Sequence, residues 1–428
     1  MFGALGMLLG GGVHGPAHGV RLIQPGALAS GNLLTFTRAQ VGGARSTARG
    51  SDGASIAEFL ADAPRFHDIS RGLLLEGQRT NGVRNPRGEG AVAGTPGALP
   101  TNASLIGDAS LGVVTRAVAV SAISAGRSRM TITASGTATS TGLLYLILEP
   151  AGVVSATPNE IWTFSVNLGL SAASNVSSCI QRWDERQGST YLRSLGSGNI
   201  IAGLGSVPTA QVLVGTVGAN TDNIAPVVVF GVAGAGAWSL TIAYDTPQIE
   251  RGTGPSTPIL PAASMPAAST RGADGLSGSL ATLLPNGVGT ILGRAMVPQL
   301  APAGAPLPVI VVADDGTSAA QVFLSQVQGS ANVNLRRIAG GNDSSATLGL
   351  ITAGSSFSFG LALGGASVWG SLNGAAVQEI VTQPAGLTTM RFGNGFSGGN
   401  SMGGQMLVLD VLPYAIPPAS LPAAVLAM

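Results

Sequence analysis

From about residue 85 onward the chain is a succession of short apolar runs cut by Gly, Ser, Asn and Pro. Several runs have a period of two. Trp162, Phe164 and Val166 alternate with Ile161, Thr163 and Ser165, and Trp238, Leu240 and Ile242 alternate with Ser239 and Thr241. Successive side chains of a strand point to opposite faces, so this pattern predicts strands with one packed and one wet face. Runs at 113–120, 129–134, 142–149, 161–168, 177–183, 210–217, 226–232 and 238–244 predict an antiparallel sandwich of the jelly-roll type. A second set lies at 288–297, 308–313, 320–326, 332–338, 357–363, 367–372, 388–392 and 405–412. Within it, Asn373-Gly374 predicts a two-residue hairpin turn, because a type I′ turn needs positive φ at both positions. Residues 417–426 predict one short helix over a sheet edge.

Between the two sets, residues 253–270 hold four Pro among Ala, Ser and Thr, which predicts a semi-extended linker and a domain boundary. The stretch before residue 85 lacks long periodic runs and is the densest in charge. It reads as irregular, with short strands such as 33–38. Its Met, Leu and Phe side chains cannot form a core of their own and need another surface. The expected fold is all-β: two antiparallel sandwiches after an irregular N-terminal segment. Its parts are 1–84, a first sandwich at 85–258, a linker at 259–272 and a second sandwich at 273–428. Sandwiches of about 150–175 residues are large enough for independent cores.

Composition changes the picture chiefly by exclusion. Charged residues are 10% of the 428, the net charge is +1, and every basic residue is Arg. A helical bundle is disfavoured by 64 Gly. No basic field exists to hold nucleic acid by counterion release, and without Lys there is no phosphate-binding Gly-Lys-Ser/Thr loop. Cys179 is the only cysteine, so no intrachain disulfide or cysteine-based zinc site can form. The three histidines are His14, His18 and His67, which removes His-based catalysis from residues 68–428. Met1 to Val13 is uncharged and apolar with five Gly, but His14, Pro16 and His18 interrupt it before the roughly 20 apolar residues of a membrane span. It is expected to be buried against its own body or a neighbouring subunit.

Three motifs occur in order: Phe36-Thr37-Arg38-Ala39, then Ala61-Asp62-Ala63-Pro64-Arg65-Phe66, then Gly72-Leu73-Leu74-Leu75-Glu76-Gly77-Gln78-Arg79-Thr80-Asn81. They are followed by Gln248-Ile249-Glu250-Arg251-Gly252 and Thr270-Arg271-Gly272-Ala273-Asp274. This series resembles the head-spike or fibre proteins of tailed phages and phage-like gene transfer agents. The resemblance runs over about residues 33–428, with Gly82 where that family has Leu. It implies a carbohydrate-binding-module-like sandwich, then a concanavalin-A/laminin-G-like one. It also implies a virion appendage made in the host cytoplasm, with residues 1–84 attaching it to capsid or tail subunits. The expected assembly is a homo-oligomer, a trimer or pentamer, that contacts host surface polysaccharide. No enzymatic activity, cofactor, nucleic-acid partner or membrane span is expected. The alternatives are a purely structural base or decoration subunit and a polysaccharide depolymerase.

Sugar binding needs an exposed aromatic face and planar polar groups for the hydroxyls. Aromatics are only 4% of the chain, and Gln181-Arg182-Trp183-Asp184-Glu185-Arg186-Gln187, with Tyr191 and Arg193 following, is the densest polar-aromatic cluster. Trp183, Asp184, Arg186 and Tyr191 are therefore the candidate carbohydrate-binding residues, against a reading of Trp183 as core and the charges as a solvated hairpin tip. Trp162, Trp238 and Trp369 are expected in cores. No catalytic residue is assigned. Asp314-Asp315-Gly316 with Asn342-Asp343 offers oxygen ligands of the kind Ca²⁺ takes, beside the plainer reading of a turn. In the 72–81 stretch, Glu76 and Arg79 are spaced to pair, and Thr80 and Asn81 to bond nearby backbone. The stretch reads as a packing corner joining the base to the first sandwich. A truncation lacking residues 1–40 is expected to be soluble but unable to join particles.

Overall fold

The computed structural model describes residues 19–28, 33–41, 43–50, 52, 55–396 and 400–428. The apolar N-terminal stretch read at residues 1–13 lies outside them. The described chain is all-β, its sheets are antiparallel, and it has two short α-helices. None of its helices is long and apolar enough to cross a membrane.

The first sandwich packs a five-stranded sheet on a six-stranded one. The five-stranded sheet runs in the order Thr115–Ile123, Arg127–Ala138, Gly236–Arg251, Ile161–Ser174, Thr209–Thr216. The other runs Ser104–Gly107, Gly142–Ile147, Asn223–Val232, Val176–Gln187, Thr190–Gly196, with Val154–Ser155 also paired to the central strand. Inward positions of both sheets, including Phe164, Trp183, Phe230, Trp238 and Ile242, fill one core. Trp162 closes its margin.

The second sandwich has its own core. One sheet of seven strands runs from Asn342–Leu350 at one edge, through Val309–Asp314, to Thr35–Thr37 at the other. The facing nine-stranded sheet is centred on Gly404–Leu412 and Gly289–Met296. At Asn373 and Gly374 φ is +50° and +74°, as the turn signal requires. Pairing resumes only at Gln378, opposite Gly370. The terminal helix, Leu421–Leu426, covers a sheet face rather than an edge. Leu421 and Val425 pack with Leu292, Ala362 and Trp369, and a side chain at Gly360 would clash with both.

The surface that the N-terminal apolar side chains need is supplied by this C-terminal half. Val20–Gln24 and Gly72–Leu75 pair with Gly404–Leu412, and Thr35–Thr37 pairs with Gly275–Ser279. Leu22, Ile23, Phe36, Leu73 and Leu75 are buried in the second core. The first sandwich is thus an insertion between Asn81 and Ser269, two residues that face each other in a three-stranded sheet.

The motif residues converge on that junction. Arg38, Arg65 and Arg271 are buried together with Glu76 and Asp274. Arg65 Nη1 lies 2.9 Å from Glu76 Oε2, as does Arg271 Nη1, while Arg38 Nη1 lies 3.1 Å from Asp274 Oδ1. Arg65 also pairs with Asp274, whose carboxylate accepts the Glu76 N–H at 2.8 Å. Thr257 donates to Glu76 through its N–H (2.9 Å) and hydroxyl (2.6 Å). The Pro-rich stretch is therefore pinned rather than free, and Ile259 and Leu260 are fully buried. Asn81 anchors the other side, donating to Ile259 O and accepting from the Ile249 N–H. The expected Glu76–Arg79 pair does not form. Three residues of extended chain span about 10 Å, so the i, i+3 neighbour rule of helices does not apply. Arg79 instead donates to Arg251 O and faces Glu250.

This joint sets an acid limit. Burial alone would raise the Glu76 carboxyl, but the Arg271 and Arg65 guanidinia and the Thr257 hydrogen bonds outweigh it and hold it at about 2, against an ordinary 4.5. A depressed folded value means the unfolded chain binds more protons between those limits, so stability falls as pH drops from about 4.5 toward 2. Glu250 and Glu149, both raised by burial, oppose part of that slope. Denaturant melts over pH 2–6 are expected to show stability falling on acidification, and Glu76→Gln to flatten the dependence. An unchanged slope in Glu76→Gln would remove Glu76 as its source.

Candidate functional site

The strand Val176–Gln187 alternates strictly over its middle. Cys179, Gln181, Trp183 and Glu185 point into the first core, and Arg182 and Asp184 point outward. The indole of Trp183 is fully buried and presents no face to a ligand. The expectation of a stacking platform at this residue is corrected: the alternation that makes the strand places Trp183 in the core. Its neighbour Glu185 is a buried polar post. It accepts two bonds from Arg193 at 2.9 Å, one from the Gly218 N–H and one from the Thr221 hydroxyl. Burial pushes the Glu185 carboxyl up, but these bonds outweigh it and hold the group below the usual range.

The outward residues form a connected row. Arg182 lies with its guanidinium 5.5 Å from the ring centroid of Tyr145 and its Nε 2.9 Å from Asp184 Oδ1. The Ser194 hydroxyl donates to Asp184 Oδ1 at 2.6 Å. Tyr191 Oη lies 2.9 Å from Ser194 Oγ, and since that serine gives its proton to Asp184, the phenol donates. Tyr145 and Arg182 sit on the two strands flanking Asn223–Val232, so the row crosses the outer face of the six-stranded sheet. Tyr191, at 50% exposure, is its open aromatic.

Of the four candidates, the structure joins Asp184 and Tyr191 through Ser194. Arg186 is paired with Tyr191 across the hairpin, but its side chain turns to the tip, where Nη1 donates to Ser189 O at 2.9 Å. Tyr145 and Ser194 are not marked by the sequence. Tyr145 is separated from the cluster by more than thirty residues and reaches it only because both flanking strands pair with the same third strand. The row offers one open ring, a guanidinium and a carboxylate on a nearly flat face, the groups that sugar C–H faces and hydroxyls engage.

Other candidate chemistry disperses. Asp184 and Glu185 point to opposite faces of the sheet, and so do not form the facing carboxylate pair of a glycosidase cleft. Asp314 is buried against Arg391 (2.8 Å), and Asp343 pairs with Arg336. The register Asp314–Gln321–Ile338–Asp343 puts the two acids three strands, about 14 Å, apart. The oxygen ligands noted for Ca²⁺ therefore do not meet, in keeping with the plainer reading of 314–316 as a turn. Among the described residues no group of three or more His, Cys, Asp or Glu side chains is placed to hold a metal. Burial pushes the Cys179 thiol up to about 12.

No family model matches the chain, and no curated protein does. Among solved structures, the tripod (BppUct-A-L) from the baseplate of bacteriophage Tuc2009 aligns over 76% of this chain and all of its own, at 11% identity and a TM-score of 0.28. The N-terminal CBM22-1-CBM22-2 tandem domain from Paenibacillus barcinonensis Xyn10C aligns over 76% of this chain and 98% of its own, at 10% identity and a TM-score of 0.22. Scores this low carry no functional argument, so the functional reading rests on the residues of this chain.

Proposed function

We propose that the chain is a non-enzymatic appendage of a phage-like particle, a head spike or fibre, that binds host surface glycans. It is held to the particle by its N-terminal region and acts as a homo-oligomer of three or five copies. Its sandwiches serve as jelly-roll-like and laminin-G-like carriers. The observation that carries the glycan reading is the Tyr145–Arg182–Asp184–Ser194–Tyr191 row on an open sheet face. Such a face binds weakly. A half-open ring buries little area, and roughly 25 cal/mol per Å² gives only about 1 kcal/mol per contact. Several copies on one particle raise the effective affinity by roughly 10²–10⁴ without new contacts.

The test separates folding from binding. Asp184→Ala combined with Tyr191→Ala is expected to leave stability within about 1 kcal/mol and to reduce adsorption to encapsulated cells. Trp183→Ala is expected to cost about 3–5 kcal/mol of stability through the cavity it leaves. Unchanged adsorption by the well-folded double variant would remove this face as the binding surface.

A further inference from the structure

A groove runs where the first sandwich meets the 298–308 loop of the second, beside the joint that carries the motifs. One part of it measures about 840 Å³ and the adjoining part about 450 Å³, and the two share Gln78, Arg79, Thr253 and Pro302. Clefts of roughly 300–1,000 Å³ are of the size of small-molecule binding sites. Its rim is chemically unlike the rest of this charge-poor surface. Arg251 is 70% exposed and spends one donor on Glu160 at 3.1 Å, leaving the rest of its planar fork open. Arg79 lies beside it, one nitrogen held by Arg251 O at 2.6 Å. Gly252, at φ +141°, makes room for that guanidinium, since a Cβ there would stand 2.4 Å from Arg79 Nη1. The exposed carboxamides of Gln78 and Asn159 show no hydrogen bond. The opposite wall, Pro302-Ala303-Gly304-Ala305-Pro306, is short and apolar.

Each guanidinium has a carboxylate partner, but in both pairs the guanidinium is the more exposed member. Arg251 and Arg79 face the groove with side chains 70% and 35% exposed, against 16% for Glu160 and none for Glu250. Glu250 lies buried behind Arg79, where burial raises its carboxyl. A guanidinium fork matches a carboxylate with two parallel bonds. Free carboxamides offer a donor and an acceptor to vicinal hydroxyls, and an apolar wall suits the C–H face of a sugar ring. From this arrangement we infer that the groove binds an acidic oligosaccharide, its uronate carboxylate on Arg251 and Arg79 and its hydroxyls on Gln78 and Asn159. The site is distinct from the tyrosine row, and it draws on the glycan reading above only for the source of the ligand.

Titration calorimetry on the full-length chain with galacturonic acid oligomers tests this, with the same oligomers reduced at their carboxyls as the neutral probe. The acidic oligomer is expected to bind, more weakly as salt rises, and the neutral one at least about tenfold more weakly, the value of one charged hydrogen-bonded contact. Arg251→Glu is expected to abolish binding and Gln78→Ala to weaken it, with unfolding midpoints unchanged. Equal binding of both oligomers, or wild-type affinity in Arg251→Glu, overturns the site. Binding of neither oligomer overturns it too. In that case adsorption of the wild-type protein to encapsulated cells decides whether the glycan reading survives: retained adsorption, lost in the Asp184/Tyr191 variant, means the groove alone is wrong.

Discussion

Deleting residues 1–40 is expected to unfold the second sandwich and leave the first folded. The truncation removes Leu22, Ile23 and Phe36 from the second core, with the strands Val20–Gln24 and Thr35–Thr37. At about 1.5–3 kcal/mol per buried side chain, the three alone contribute roughly 5–9 kcal/mol, comparable to the whole 5–15 kcal/mol by which a typical domain is stable. The loss also uncovers Gly404–Leu412 and Gly275–Ser279 on the sides where those strands paired, creating edges prone to aggregation. The first core draws on residues 83–249 and loses nothing. Limited proteolysis is expected to leave a resistant fragment of about that span. A truncation of residues 1–18, which takes no described core residue, is expected to keep both cores. A fully protease-resistant 1–40 truncation would refute the account. This replaces the expectation from sequence that the shorter chain stays soluble and merely fails to join particles.

Replacing Asp274 is expected to be the most damaging single substitution at the joint. Its carboxylate is fully buried and faces both Arg38 and Arg65. Without it, three buried guanidiniums share the single carboxylate of Glu76. Removing one partner of a buried ion pair typically costs about 3–5 kcal/mol, because the surviving charge stays out of water without compensation. Asp274→Ala is expected to lose that much in a denaturant melt of the second sandwich. Asp274→Asn keeps a group that can accept the Glu76 N–H and is expected to lose less. A loss below about 1 kcal/mol in Asp274→Ala would show that the network does not hold the two sandwiches' junction.

Strand character was legible because the period-two alternation is local. It marked 161–168 and 238–244 as half-buried strands, and both lie within observed strands, Ile161–Ser174 and Gly236–Arg251. The Asn373-Gly374 turn was legible for the same reason, since positive φ at adjacent residues is a local demand. The candidate cluster was legible as a hairpin, but not the direction of its indole. A strand's phase decides which residues face the core, and Trp183 shares the buried phase with Gln181 and Glu185. Polar neighbours in sequence left the core and exposed readings both open, and the core it enters carries polar posts of its own.

The sequence by itself determined the class: alternating apolar runs, abundant Gly and scarce charge leave antiparallel sandwiches as the way to bury so much surface. It also marked the residues of the joint, as motifs whose meaning it did not reveal. Tertiary structure alone decided that Val20–Gln24, Thr35–Thr37 and Gly72–Leu75 complete the sheets of the second sandwich. It also decided that Arg38, Arg65, Glu76, Arg271 and Asp274 meet, across up to 236 residues of chain, and that Tyr145 joins Arg182. The physical reason is common to all three. Strand pairing and ion pairing between distant segments depend on which edges and charges remain unsatisfied after the local elements form, and that is a property of the whole packed molecule.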